Sequence, residues 1–149
     1  MSTVTIRAIT AADHAAWLPL WQGYQRFYNT VISDETSATT WQRFLDGKEP
    51  MNAALAWQGG VAVGLVHFIY HRSTWTVGNY CYLQDLYVEP GIRGGGIGRQ
   101  LIDHVYDQAE AAGASRVHWL THETNTDAMH LYDKIATRSG FVQYRKLFN

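Results

Sequence analysis

Apolar residues in this chain recur with two different periods, and the switches between them mark its elements. Val4, Ile6 and Ile9 fit a first strand that Thr10 ends. Trp17, Leu20, Trp21, Tyr24 and Tyr28 then repeat at helical spacing, behind a capping pair of Thr10 and Asp13. Pro19 lies inside that helix, where its missing N–H and its ring predict a kink or split near residues 15–16. Residues 29–40 are polar and read as a loop carrying the solvated pair Asp34 and Glu35. A short helix follows around Trp41, Phe44 and Leu45, ended by Gly47. Residues 53–57 and 61–70 are strand-like and meet at Gly59-Gly60, a two-residue hairpin signal. Residues 72–79 reverse the chain with Trp75 at the tip, and 80–88 form the next strand, stopped by Pro90-Gly91. Leu101, Ile102, Val105 and Ala109 predict a helix over 99–112 with Gly113 as its cap. A strand over 117–120, a helix capped by Asn125 and carrying Leu131, Tyr132 and Ile135, and a final strand over 141–148 complete the order β-α-α-β-β-β-α-β-α-β.

Composition narrows the function classes. A chain of 149 residues, 46% hydrophobic and 17% charged, is the size and make-up of one globular domain. A net charge of −1, with no basic cluster beyond Arg145-Lys146, gives no electrostatic footprint for nucleic acid. The single cysteine, Cys81, cannot form an internal disulfide, which fits a reducing compartment. The first ten residues hold no apolar signal region, and no later run reaches membrane-spanning length. The expectation is a cytoplasmic protein with no nucleic-acid or membrane partner.

The candidate chemistry lies between the strand over 80–88 and the helix after it. Gly94, Gly95, Gly96 and Gly98, with Ile97 among them, sit where the chain enters a helix N-terminus. Unpartnered amide N–H groups and the helix dipole there favour an anionic phosphate, and glycines leave the amides uncovered. Arg93 and Arg99 flank the loop and can add charge-assisted hydrogen bonds. A nucleotide triphosphatase loop would end in Gly-Lys-Ser/Thr, yet Gly96 is followed by Ile97 and Gly98. A dinucleotide fingerprint starting at Gly94 or Gly96 needs glycine at 99 or 101, where Arg99 and Leu101 stand.

The loop resembles the pyrophosphate loop of the GNAT superfamily, the acetyl-CoA-dependent N-acetyltransferases. Their pattern Arg/Gln-x-x-Gly-x-Gly/Ala is met by Arg93, Gly96 and Gly98. Leu83-Gln84-Asp85-Leu86-Tyr87-Val88 resembles the family's central strand, and Asn125-x-x-Ala128-x-x-x-Tyr132 its second cofactor motif. The resemblance is strong over 82–144 and architectural before it. It implies an α/β (α+β) GNAT fold over residues 1–149, a mixed, mostly antiparallel twisted sheet flanked by helices. It also implies acetyl-CoA as cosubstrate, held along Leu86, Tyr87 and Val88 by main-chain groups, at the glycine loop, and at Asn125 and Ala128. Lys134 is a further candidate for a cofactor phosphate, with open surface as its alternative. In the resembled fold the first helix and the loop after it wall the acceptor pocket, which puts Tyr24 and Tyr28 nearest to it. Trp75, Gln84 and Leu120 are the other candidate acceptor contacts.

Acetyl transfer to an amine sets three demands. An ammonium with a pKa of about 10.4 must lose a proton before it attacks, the oxyanion needs fixed N–H donors, and the leaving thiolate needs a proton or hydrogen bond. Tyr132 follows Asn125 by seven residues, so the two share a helix face, and a phenol is protonated at neutral pH. By the resemblance Tyr132 is the acid. The base is open: some polyamine-acetylating relatives carry glutamate at the position of Gln84, and an amide accepts no proton. Asp85 is the candidate, acting through water, if a bulge re-aims it, and is otherwise a structural carboxylate; Glu123, His122 or a water chain are the alternatives.

His67 and His71, like His118 and His122, are four apart, roughly 13 Å along a strand, too far to share one metal ion. No metal is expected in the reaction. The residues 136–139 before Gly140-Phe141, together with Trp119-Leu120-Thr121 and Tyr144-Arg145-Lys146, resemble the histone/polyamine-type branch. That likeness implies a small-molecule primary amine as acceptor, and a homodimer formed through C-terminal strands. A protein lysine or N-terminus as acceptor, and a non-catalytic acyl-CoA-binding module, are the competing readings.

Overall fold

The computed structural model describes residues 3–92 and 95–148, and it divides the chain into two compact units, Met1–Trp119 and Leu120–Asn149. The first unit holds a five-stranded sheet in the order β1 (Val4–Ala8), β2 (Met51–Gln58), β3 (Val61–His71), β4 (Tyr80–Val88), β5 (Arg116–His118). The first four strands are antiparallel, and β5 joins β4 in parallel. β2 and β3 form the hairpin expected at Gly59-Gly60, whose φ angles of 58° and 78° are those a two-residue turn of this hand requires.

One face of the sheet is covered by α1 (His14–Phe27) and α2 (Asp34–Leu45). Trp17, Leu20, Trp21 and Trp41 pack there on Leu55, Leu65 and Tyr87. α3 (Ile97–Ala111) covers the opposite face: Leu101 lies against Gly64, the strand neighbour of Leu65. Gly23 lets α1 sit directly on β4, since a Cβ at that position would lie 2.6 Å from the Tyr87 hydroxyl oxygen.

Several elements differ from the pattern. α1 runs through Pro19 without a split, and the irregularity falls earlier, in a 3-10 turn over Ala11–Asp13. There the Thr10 N–H donates to the Asp13 carboxylate at 2.8 Å, and the Arg7 guanidinium donates to it at 2.9 Å. Arg7 holds the Asp13 carboxyl below the usual carboxylate range. Asp13→Ala is therefore expected to cost about 1–2 kcal/mol of stability. A depressed folded pKa makes this contribution complete above the unfolded value of about 3.9 and loses it as pH falls through the folded one. Denaturant midpoints of the two proteins should converge in acid, and a gap constant down to acid unfolding would exclude the ion pair.

Asp34 and Glu35 lie in the first turn of α2 rather than in a loop. Ser33 caps that helix by accepting from the Thr36 N–H, and the two acids complement its dipole. The strand expected over 117–120 is instead β5, and no strand forms over 141–148. A strand exists only where a neighbour exchanges backbone hydrogen bonds with it, and no described residue pairs with that stretch. The second unit contains α4 (Thr126–Ile135), with Asn125 at its N-cap as expected.

Candidate active site

β4 opens the site. Its pairing with β3 slips at His67/Phe68: His67 stands opposite Asp85 while Phe68 stands opposite Leu83, so Gln84 is an extra residue in β4. This bulge turns Asp85 onto the face of Tyr80 and Tyr82, under α1, and leaves Gln84 exposed. β5 accompanies β4 only from Tyr80 to Tyr82; beyond that no described strand pairs on this edge, where Leu86, Tyr87 and Val88 follow. The Tyr87 side chain is buried against Gly23, so only its main chain faces the strand edge.

Asp85 belongs to a buried chain of hydrogen bonds. The Trp17 Nε1–H donates to His67 Nε2 at 3.0 Å, and His67 Nδ1 lies 2.9 Å from the Asp85 carboxylate. Indole is only a donor, so Nε2 carries no proton and the ring is the neutral Nδ1–H tautomer, donating to Asp85. The Tyr24 hydroxyl bonds the same carboxylate. Burial, followed by the charge of Asp85, pushes the Tyr24 phenol well above its ordinary range.

Tyr28 packs on Tyr24 with ring centroids 4.8 Å apart and is exposed, so the aromatic stripe of α1 runs from core at Trp17 to an open end at Tyr28. Tyr82 shares the sheet face of Asp85, and burial and that carboxylate raise its pKa. Trp75 is 72% exposed at the tip of its turn, with Arg116 5.9 Å from its ring centroid. Cys81 is fully buried, and burial pushes its thiol up to about 11, which rules out a thiolate nucleophile at neutral pH.

The glycine loop meets α3 as expected. Gly96 is its N-cap at φ 78°, and no side chain caps the helix. A Cβ at Gly98 would meet nothing within 4 Å among the described residues, so packing does not demand glycine there, whereas the left-handed φ at Gly96 itself favours glycine. What their bareness provides is access to the first-turn amides, Ile97 and Arg99 among them, which fits a diphosphate. Gly95 precedes them in a bend, and Arg99 pairs with Asp103 at 3.8 Å on the open surface. Arg93 and Gly94 lie outside the described residues. In the second unit Asn125, Ala128 and Tyr132 follow at three- and four-residue steps and are each half-buried, whereas Lys134 and Leu120 are exposed.

Sequence reasoning named Asp85 as the candidate base and Tyr24 and Tyr28 as acceptor-side aromatics; the structure bonds Tyr24 to Asp85 and packs Tyr28 on Tyr24, and it adds Trp17, His67 and Tyr82, which had not been singled out for the site. Their partners are distant in the chain, and a single buried histidine in a strand gives no local signal.

Comparisons with known proteins agree with this fold. Residues 17–136 match the acetyltransferase (GNAT) family. The D-amino-acid N-acetyltransferase HPA3 of Saccharomyces cerevisiae is 37% identical over 145 residues, covering 96% of this chain and 90% of that protein. The thialysine N-epsilon-acetyltransferase of Mus musculus is 43% identical over 95 residues, 59% of this chain and 54% of that protein. The crystal structure of ribosomal-protein-alanine N-acetyltransferase from Brucella melitensis superposes with a TM-score of 0.78 at 26% identity, over 98% of this chain and 100% of that one. An aminoglycoside N-acetyltransferase solved with CoA shares the fold at a TM-score of 0.82 and 18% identity, over 98% and 96% of the two chains. With its glycine loop, bulged strand and element order, the chain belongs to the acetyltransferase (GNAT) family and is an N-acetyltransferase.

Proposed function

We propose that this enzyme transfers acetyl from acetyl-CoA directly to a primary amine of a small molecule, with amino acids and polyamine-like amines as the substrate class. The observation that carries this reading is the Asp85 carboxylate, buried yet bonded to Tyr24 at the mouth of an aromatic wall. A buried carboxylate attracts an ammonium and accepts its proton, and the aromatic rings of Tyr24, Tyr28 and Tyr82 suit a compact substrate. The relative that acts on D-amino acids, matching almost the whole chain, favours the same class over a protein tail.

In this reading the Asp85 carboxylate takes the amine proton, directly or through the Tyr24 hydroxyl, while His67 and Trp17 hold its orientation. The N–H groups of Leu86 and Val88 orient the thioester along the open strand edge, and the amides from Gly96 to Arg99 hold the diphosphate. Asn125 binds the pantetheine arm, and the Tyr132 hydroxyl donates to the departing sulfur. Tyr132→Phe is expected to lower kcat about 100-fold, the lower end for general acids because a thiol of pKa about 8.5 is already a tolerable leaving group. Acetyl-CoA affinity, measured by calorimetry, should hardly change; equal losses in both would remove Tyr132 as the acid. Incubating the protein with acetyl-CoA and a panel of D- and L-amino acids, diamines and basic peptides, with mass detection of products, tests the whole reading. Acetylation of peptides alone would overturn it, and so would no acetylation at all.

The exposed run of Phe141, Val142, Tyr144, Leu147 and Phe148 supports a homodimer through these C-terminal residues. Sedimentation should give a dimer that Val142→Lys with Phe148→Asp converts to monomer. A wild-type monomer at micromolar concentration would exclude it.

A further inference from the structure

The rim where β3 ends, β4 begins and β5 ends carries side chains that acetyl transfer does not use. The register sets His71 opposite Tyr80 and His118 beside Tyr82, so these four share one face of the sheet. The two imidazoles meet there, with Nε2 atoms 3.2 Å apart and ring planes at 86°. His71 Nδ1 lies 2.9 Å from the Arg72 carbonyl oxygen, which can only accept. The neutral ring therefore carries its proton on Nδ1 and accepts at Nε2 from the His118 Nε2–H, so both Nε2 atoms face a metal once His118 moves that proton to its Nδ1. Metal-binding histidines are held in this way, with the second nitrogen donating to a backbone carbonyl. Two imidazole nitrogens about 2.0–2.1 Å from a tetrahedral zinc ion stand about 3.3 Å apart, close to the separation found here. Tyr80 packs against both rings, with centroids 5.5 and 6.0 Å away. Its hydroxyl is buried with no hydrogen-bond partner among the described residues.

We propose that His71 and His118 form a two-histidine site for a divalent transition metal of the zinc and copper class, completed by water, and that its occupation inhibits the enzyme. Among the described residues no third histidine, cysteine or carboxylate joins the pair, and the Arg116 guanidinium lies 4.0 Å over the Tyr80 ring. Few ligands and a nearby cation make the site weak and reversible, a brake rather than a cofactor. Inhibition follows from position: Tyr82, stacked on His118 at 5.1 Å and 14°, lies on the same face as Asp85. A dication here repels the incoming ammonium. This inhibitory half rests on the amine site proposed above, whereas the binding half does not.

Titrating tag-free protein with Cu²⁺, followed by electron paramagnetic resonance and calorimetry, tests binding without any turnover. One equivalent should bind with hyperfine coupling from two imidazole nitrogens. His71→Gln and His118→Gln should each weaken it by more than about 100-fold, at least the 10–100-fold that changes around a metal ligand cost. Zn²⁺ should then inhibit the wild-type enzyme, scored by acetylated product because released CoA thiol itself binds zinc. His71→Gln, exposed and outside the acetyl-transfer machinery, should keep metal-free turnover and lose the inhibition. Absent binding in the wild type, or equal binding by His71→Gln, overturns the site. Binding with unchanged turnover overturns the inhibition.

Discussion

Gly98→Asp should weaken acetyl-CoA binding by about 100-fold or more, with no loss of thermal stability. The two halves of this result have separate causes. Gly98 is the second residue of α3, and a Cβ there meets nothing within 4 Å, so the side chain has room. Aspartate in a first helical turn also complements the dipole and relieves the entropic cost of glycine in a helix. Unfolding temperature should hold or rise. Against a bound diphosphate the same carboxylate is a like charge, and at about 4 Å in an effective dielectric of about 20 the repulsion is of order 4 kcal/mol. Salt screening and side-chain rotation reduce this to about 3 kcal/mol, about 100-fold in Kd. Calorimetry at low and moderate salt checks both size and origin, since the deficit should narrow as salt rises. A stable variant with unaltered affinity would mean that the diphosphate binds away from α3.

Asp85→Asn should lower kcat by about 10²–10⁴-fold, equivalent to about 3–5 kcal/mol of barrier. The substitution keeps volume and keeps an oxygen to accept from His67 Nδ1–H, so the fold and the Trp17–His67 bond should survive. What it removes is the proposed proton acceptor. The variant then turns over only amine that arrives already deprotonated, and its rate should climb about tenfold per pH unit toward the amine pKa of about 10.4. The wild-type enzyme should level off at lower pH. His67→Gln supplies a finer test of positioning: kcat should fall while the KM for acetyl-CoA stays put. If Asp85→Asn retains full kcat with a wild-type pH profile, the base lies elsewhere, with Glu123 and His122 next in line.

Much of the frame was legible because its signals are local. The bounds of β4 follow from a β-branched and aromatic run closed by Pro90-Gly91, and the hairpin from Gly59-Gly60, where only the right pair of φ angles closes the turn. Asn125 at the head of α4 is likewise readable from residue type and spacing. What stayed hidden depends on partners. The extra residue that aims Asp85 toward His67 is an ordinary glutamine, and nothing in its chemistry announces a bulge. Trp17 and His67 are 50 positions apart, as are His71 and His118 by 47, so only the fold reveals either pair. Residues 141–148 show the converse: alternation written in the chain makes a strand only when a neighbour is there to receive it.

The bare backbone at Gly23 has a practical consequence for redesign. It seats α1 on Tyr87, in the strand proposed to orient the thioester, one residue before the tyrosine that touches Asp85. The packing of α1 on β4 is thereby set at a single point of contact, which fixes the backbone on both sides of it together. Widening the enzyme for bulkier amines should begin at Tyr28, where solvent already reaches, and leave residue 23 alone, since even one methyl group would wedge α1 off β4.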